Sequence, residues 1–135
     1  MHKLVPFLIT AATLGSCTAV PPPGAPTLRG QAELSRLLAG KVAGPPQKCL
    51  SRYRAEHLVP IDGHTLAYRD GSTTWINHVQ GNCAGLEYGY TLVTKPFGFN
   101  GPCKGDVAQV VDPGSGMLAG SCFFGDFVPY KPIAR

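Results

Sequence analysis

The sequence predicts a mainly β domain. The expected fold is a small antiparallel meander, closed as a barrel or sandwich of about six strands, with one short N-terminal helix and two disulfides. Three observations predict it. Glycine (17) and proline (13) are frequent for 135 residues, which favours many turns over long helices. From His57 onward, apolar and polar residues alternate in short runs separated by Asp-Gly, the strongest short-range hairpin signal. Four cysteines, Cys49, Cys83, Cys103 and Cys122, form an even set without the close pairs a zinc site needs.

The first element is an address. Residues 1–16, "MHKLVPFLITAATLGS", have a charged start, a short apolar middle and small residues at the end, the shape of a secretory signal. The apolar run is too short to span a bilayer, which takes about 20 residues. Leu14-Gly15-Ser16-Cys17 resembles the bacterial lipobox. That resemblance implies cleavage before Cys17, a diacylglyceryl group on its thiol and an acylated new amine. Several acyl chains on one cysteine hold far more firmly than one, at about 0.8 kcal/mol per buried methylene. Residues 17–30 then read as the lipidated cysteine and a proline-rich tether. Its thirteen residues after Cys17 reach about 40 Å if extended as polyproline II. Thr18, rather than Asp, follows Cys17, which resembles the default for outer-membrane sorting. The expected location is the outer membrane, facing the periplasm, with a soluble periplasmic or secreted form as the alternative.

Residues 31–135 form one domain. Gln31–Gly40 places Leu34, Leu37 and Leu38 on one helical face, and Gly40 suits the helix end. So short a helix must dock on the domain. The expected strands are His57–Ile61, His64–Arg69, Thr73–Val79, Leu86–Thr94, Asp106–Val111 and Met117–Phe124. Pro60 marks the first as an edge. Two-residue turns at 62–63 and 70–71 pair Val59 with Leu66, Leu66 with Trp75, His57 with Tyr68 and His64 with Asn77. Val59, Ile61, Leu66, Tyr68, Trp75 and Val79 then share the core face. His57 and His64 lie about 13 Å apart along that face and His78 points away, so no metal site is expected. A slip of one residue would reverse these faces.

In a strict meander, Cys49 and Cys103 fall at one end and Cys83 at the other, with Cys122 part-way along the last strand. Disulfide Cα atoms lie within about 7 Å, which removes Cys49–Cys83 and Cys83–Cys103. The expected bridges are Cys49–Cys103 and Cys83–Cys122.

Removing Lys3 with the signal leaves 11 basic and 8 acidic side chains, a formal +3. No Lys/Arg block exists, so no nucleic-acid partner is expected. Ser115 and Ser121 lack the G-x-S-x-G frame, and the acidic residues sit mostly in turns. No catalytic residue and no cofactor is expected.

"LLAGKVAGPPQKCLS", "GHTLAYRDGSTTWINH" and "CKGDVAQVVDPGSGMLAGSCFFGDFVPY" resemble an uncharacterised family of small exported alphaproteobacterial proteins. The resemblance covers roughly residues 34–132, and its most specific part is the ending Gly125-Asp126-Phe127-Val128-Pro129-Tyr130. It implies an exported small domain and supplies neither catalytic residue nor ligand.

The expected function is a cell-envelope lipoprotein with a non-catalytic binding or structural domain. Its partners would be the membrane, through the lipid anchor, and an envelope protein. The alternative is a periplasmic enzyme, or an enzyme inhibitor, acting on envelope material. A lysozyme inhibitor fits poorly, because lysozymes are basic and a positive domain repels them.

Overall fold

A computed structural model describes residues 26–96, 98 and 100–134. The signal segment, Cys17 and most of the tether lie outside these residues. The described chain is mainly β, with two antiparallel sheets. Helix α1 (Leu28–Leu38) is followed by strand β1 (Lys41–Ala43), the four-residue helix α2 (Arg52–Ala55), and strands β2 (Leu58–Pro60), β3 (Thr65–Asp70), β4 (Thr73–His78) and β5 (Gln80–Asn82). A 3₁₀ turn at Leu86–Tyr88 precedes β6 (Thr91–Thr94), β7 (Val107–Val111), β8 (Leu118–Phe123) and β9 (Phe127–Pro132).

Sheet one has the order β1-β9-β4-β3-β2, and sheet two the order β5-β8-β7-β6. The simple meander does not hold, because β9 inserts between β1 and β4. Two crossings tie the sheets together. The chain passes from β4 in sheet one to β5 in sheet two around Val79, and returns from β8 to β9 through residues 124–126. At this corner Asn77, fully buried, replaces a missing ladder pair. Its Nδ2 donates to the Gly125 carbonyl at 2.9 Å, and its Oδ1 accepts from the Gly125 N–H at 3.0 Å.

The main core draws on both sheets. Leu66, Tyr68 and Trp75 of sheet one meet Ala108, Val110 and Cys122 of sheet two, with Phe124 and Phe127 between. Phe127 lies 5.6 Å from Phe124 and 6.1 Å from Tyr68, ring centre to ring centre. Phe124 and Phe127 are thus core residues, and Phe127 also opens β9.

The other face of sheet one carries α1. Leu34, Leu37 and Leu38 pack on Val59, Ile61, Ala67 and Ile76, the helical face expected from their spacing. The helix begins three residues earlier than expected, so residues 28–30 belong to the domain and not to the tether. Thr27 sets the start: its hydroxyl accepts from the Gly30 N–H at 2.9 Å, an N-cap of the usual kind.

The expected faces held in one hairpin and reversed in the other. Asp70 pairs with Thr73 and Tyr68 with Trp75, two residues away from the expected register, and a shift of two preserves the faces. In the first hairpin Pro60 pairs with Leu66 and Leu58 with Tyr68, a shift of one. Val59 and Ile61 therefore face the helix rather than the main core. The cause is a longer turn: both Ile61 and Asp62 donate to the Thr65 carbonyl. Pro60 does lie in an edge strand, β2.

Leu86–Thr94 is not one strand. Gly85 (φ 98°) and Gly89 (φ 91°) bracket the 3₁₀ turn in left-handed conformations, so only Thr91–Thr94 joins the sheet. Both bridges pair as expected, Cys49 with Cys103 and Cys83 with Cys122. The second joins neighbours, since β5 and β8 are paired and Gly81 lies opposite Cys122.

Candidate functional site

The turn that reverses the first hairpin also builds a pocket of about 450 Å³ between the start of α1 and the ends of β3 and β4. Asp62 organises it. Its Oδ1 accepts from the backbone N–H of His64 at 2.9 Å and of Thr65 at 2.8 Å, the Asx turn that Asp favours. The residue is 2 % exposed. Its Oδ2 accepts no hydrogen bond and lies against Gly30 in the first turn of α1: a Cβ at Gly30 would stand 2.9 Å from it. The positive end of the helix macrodipole offsets part of the cost of this buried charge.

Two histidines complete the polar side. His64 Nδ1 lies 2.9 Å from the Gly81 carbonyl. A carbonyl only accepts, so Nδ1 carries the proton and, in the neutral ring, Nε2 is left as an acceptor. His78 Nδ1 lies 3.3 Å from the Thr65 hydroxyl. Leu34, Ile61, Val79 and Pro26 supply the apolar walls.

The structure thus gathers what the sequence reading dispersed. His64 and His78 line one pocket, with Leu66 rather than His64 opposite Asn77 and Thr65 opposite His78 in the ladder. His57 stays apart and exposed at the end of α2, where its carbonyl accepts from the Arg69 N–H. Among the described residues no three His, Cys, Asp or Glu converge as metal ligands. A nucleophile–base pair would need its base oriented by a third group. Among the described residues no carboxylate bonds to either ring of this pocket. Ser115 is a turn residue whose hydroxyl donates to Asp112 at 3.0 Å. That bond and the Gly114 N–H, which contributes most, hold the Asp112 carboxyl below its ordinary range.

Sequence reasoning missed Asp62, which it took for an ordinary turn residue. The signal was present in Asp62-Gly63-His64-Thr65: an Asx turn spends one carboxylate oxygen on the backbone and leaves the other to be accounted for.

A second cavity of about 400 Å³ lies beside β1, between Val42, Pro129 and Trp75. Arg54 of α2 closes it. Its guanidinium sits 5.2 Å from the Trp75 ring centre, a cation–π contact, and its Nε donates to Asp70 at 2.7 Å. Trp75 is 3 % exposed, and its Nε1–H finds no acceptor. Among the described residues no helix is long and apolar enough to cross a membrane.

No protein-family model, no curated protein and no solved structure matches this chain.

Proposed function

We propose that this chain is a lipid-anchored, non-catalytic binding domain of the cell envelope. The observation that carries the binding reading is the pocket under α1. It is of ligand size, apolar over most of its wall, and lined on its polar side by Asp62, His64 and His78. Two disulfides belong to an oxidising compartment outside the cytoplasm, where such bridges form and persist. The signal-like start, the Leu14–Cys17 lipobox and the proline-rich segment support an anchor at Cys17 with the domain held off the lipid surface. Thr18 supports the outer membrane, facing the periplasm, and the family resemblance supports export.

Growth with labelled palmitate tests the anchor. The wild-type chain is expected to carry label and to start at Cys17 when mature, and Cys17→Ala is expected to carry none. A labelled Cys17→Ala chain, or a mature start elsewhere, refutes the anchor. Crosslinking in intact cells followed by purification tests for the envelope partner.

A further inference from the structure

We propose that the pocket under α1 binds a small organic cation: a primary ammonium carried on a compact apolar body. Among the described residues Asp62 is the only lining residue with a formal charge, so their field favours a cation and opposes a carboxylate or phosphate. One carboxylate oxygen is already spent on two backbone donors, and the other, buried, has none. A buried acceptor without a donor is costly; this oxygen is shut against Gly30 in the first turn of α1, so an ammonium reaches it by displacing the start of the helix, and the charge-assisted bond then recovers that cost. In the neutral ring the second acceptor is His64 Nε2, because the Gly81 carbonyl takes the Nδ1–H. An ammonium brings three donors, enough for both and for a solvent molecule. A bare metal ion fits poorly, since the set offers one carboxylate and no convergent third ligand among the described residues.

The apolar body follows from the walls. Leu34 comes from α1, Ile61 from the end of the first hairpin and Val79 from the crossing between the sheets. No described residue covers the mouth: His78, Gln31 and Pro26 are exposed. The volume of about 450 Å³ suits an alkyl or single-ring amine and is tight for anything much larger.

The inference rests on the reading of the domain as a binding module and names its ligand class. The purified full chain is titrated with 2-phenylethylammonium, 2-phenylethanol and phenylacetate while the ring-proton signals of His64 and His78 are followed by NMR. The ammonium is expected to shift both rings saturably, the alcohol to bind at least tenfold more weakly, and the carboxylate to leave the rings unmoved. Asp62→Asn keeps an oxygen for the turn and removes the charge. It is expected to weaken the ammonium at least tenfold and to leave the alcohol unchanged. Leu34→Trp, which fills the pocket from the helix side, is expected to abolish both and serves if Asp62→Asn does not fold. Equal binding of ammonium and alcohol, unmoved histidine rings, or undiminished ammonium binding by either variant overturns the proposal. Palmitate labelling reports only on the anchor and this titration only on the pocket, so either reading can fail alone.

Discussion

Asn77 shows how one side chain holds a corner. Its amide exchanges two hydrogen bonds with the backbone of Gly125, just beyond the last β4–β9 ladder pair, Asn77 opposite Phe127. Asn77→Leu keeps the volume and strands both groups of Gly125 in a half-buried site. The expected loss is about 2–3 kcal/mol, read as a lower urea midpoint with an unchanged slope. Gly125 has no freedom to grow in return, because a Cβ there would collide with the His78 carbonyl. Tyr68 gives a second residue-scale expectation. Burial pushes its phenol well above the ordinary value of 10.0. The unfolded chain releases this proton near pH 10 while the folded chain keeps it. The contribution is therefore fully present below about pH 10 and is lost as the pH rises beyond that. Tyr68 should ionise only together with unfolding, and alkaline difference absorbance followed alongside circular dichroism checks this.

At the scale of elements, the helix and the edge strand were legible and one register was not. Leu34, Leu37 and Leu38 announced a docked helical face, and that spacing survives in the structure because the helix has only one apolar surface to bury. Pro60 announced an edge because it has no N–H for a second neighbour. The first hairpin was misread since Asp-Gly implies a two-residue turn, whereas the Asp62 side chain ties down a longer one. An odd shift then sends Val59 and Ile61 to the helix side, while the two-residue shift of the second hairpin brings Thr65 opposite His78. Strand β9 was hidden by its prolines. Pro129 is tolerated because its carbonyl bonds to Gly44, which puts the missing N–H on the side where β1 has already ended. The start of α1 can be probed directly. Thr27→Ala removes the cap and should cost about 1 kcal/mol. Gly30→Ala, which in an open helix would gain about 0.5–1 kcal/mol, should destabilise here. The new methyl would meet Asp62 Oδ2 and Thr27 Oγ1, each at 2.9 Å; the cap holds the hydroxyl, and the turn bonds to Oδ1 hold the carboxylate. A higher melting temperature for Gly30→Ala would contradict the close approach of helix and carboxylate.

For the whole molecule, the two disulfides do similar work and differ in access. They span 54 and 39 residues of chain, worth about 4 kcal/mol each in the chain-entropy account. Cys83 and Cys122 are fully buried, whereas Cys49 is exposed and Cys103 half-buried. Exchange requires a thiolate to reach a sulfur. Mild reductant should therefore open Cys49–Cys103 first, leaving a folded species with one bridge, and Cys83–Cys122 only on unfolding. Mass spectrometry of trapped thiols over time would show the order, and simultaneous loss of both bridges would contradict it. The pairing itself was legible although the meander behind it was not, because the alternation of strand ends holds locally even where β9 leaves the expected path.

The position of β9 also imposes a sequence of events in time. It follows every other strand along the chain, yet it lies between β1 and β4, with Lys41 opposite Pro132 and Asn77 opposite Phe127. Until Phe127–Pro132 arrive, β4 presents an open edge and β1 has no neighbour at all, the condition in which strands recruit the wrong partner. Pairings so distant along the chain make for slow folding, on the millisecond-to-second scale rather than microseconds. A ribosome or a translocation channel delivers the β9 strand after all the others. Up to that moment the rest of the domain is a waiting intermediate, and whatever shields its edges during the delay decides how much of it reaches the finished sandwich.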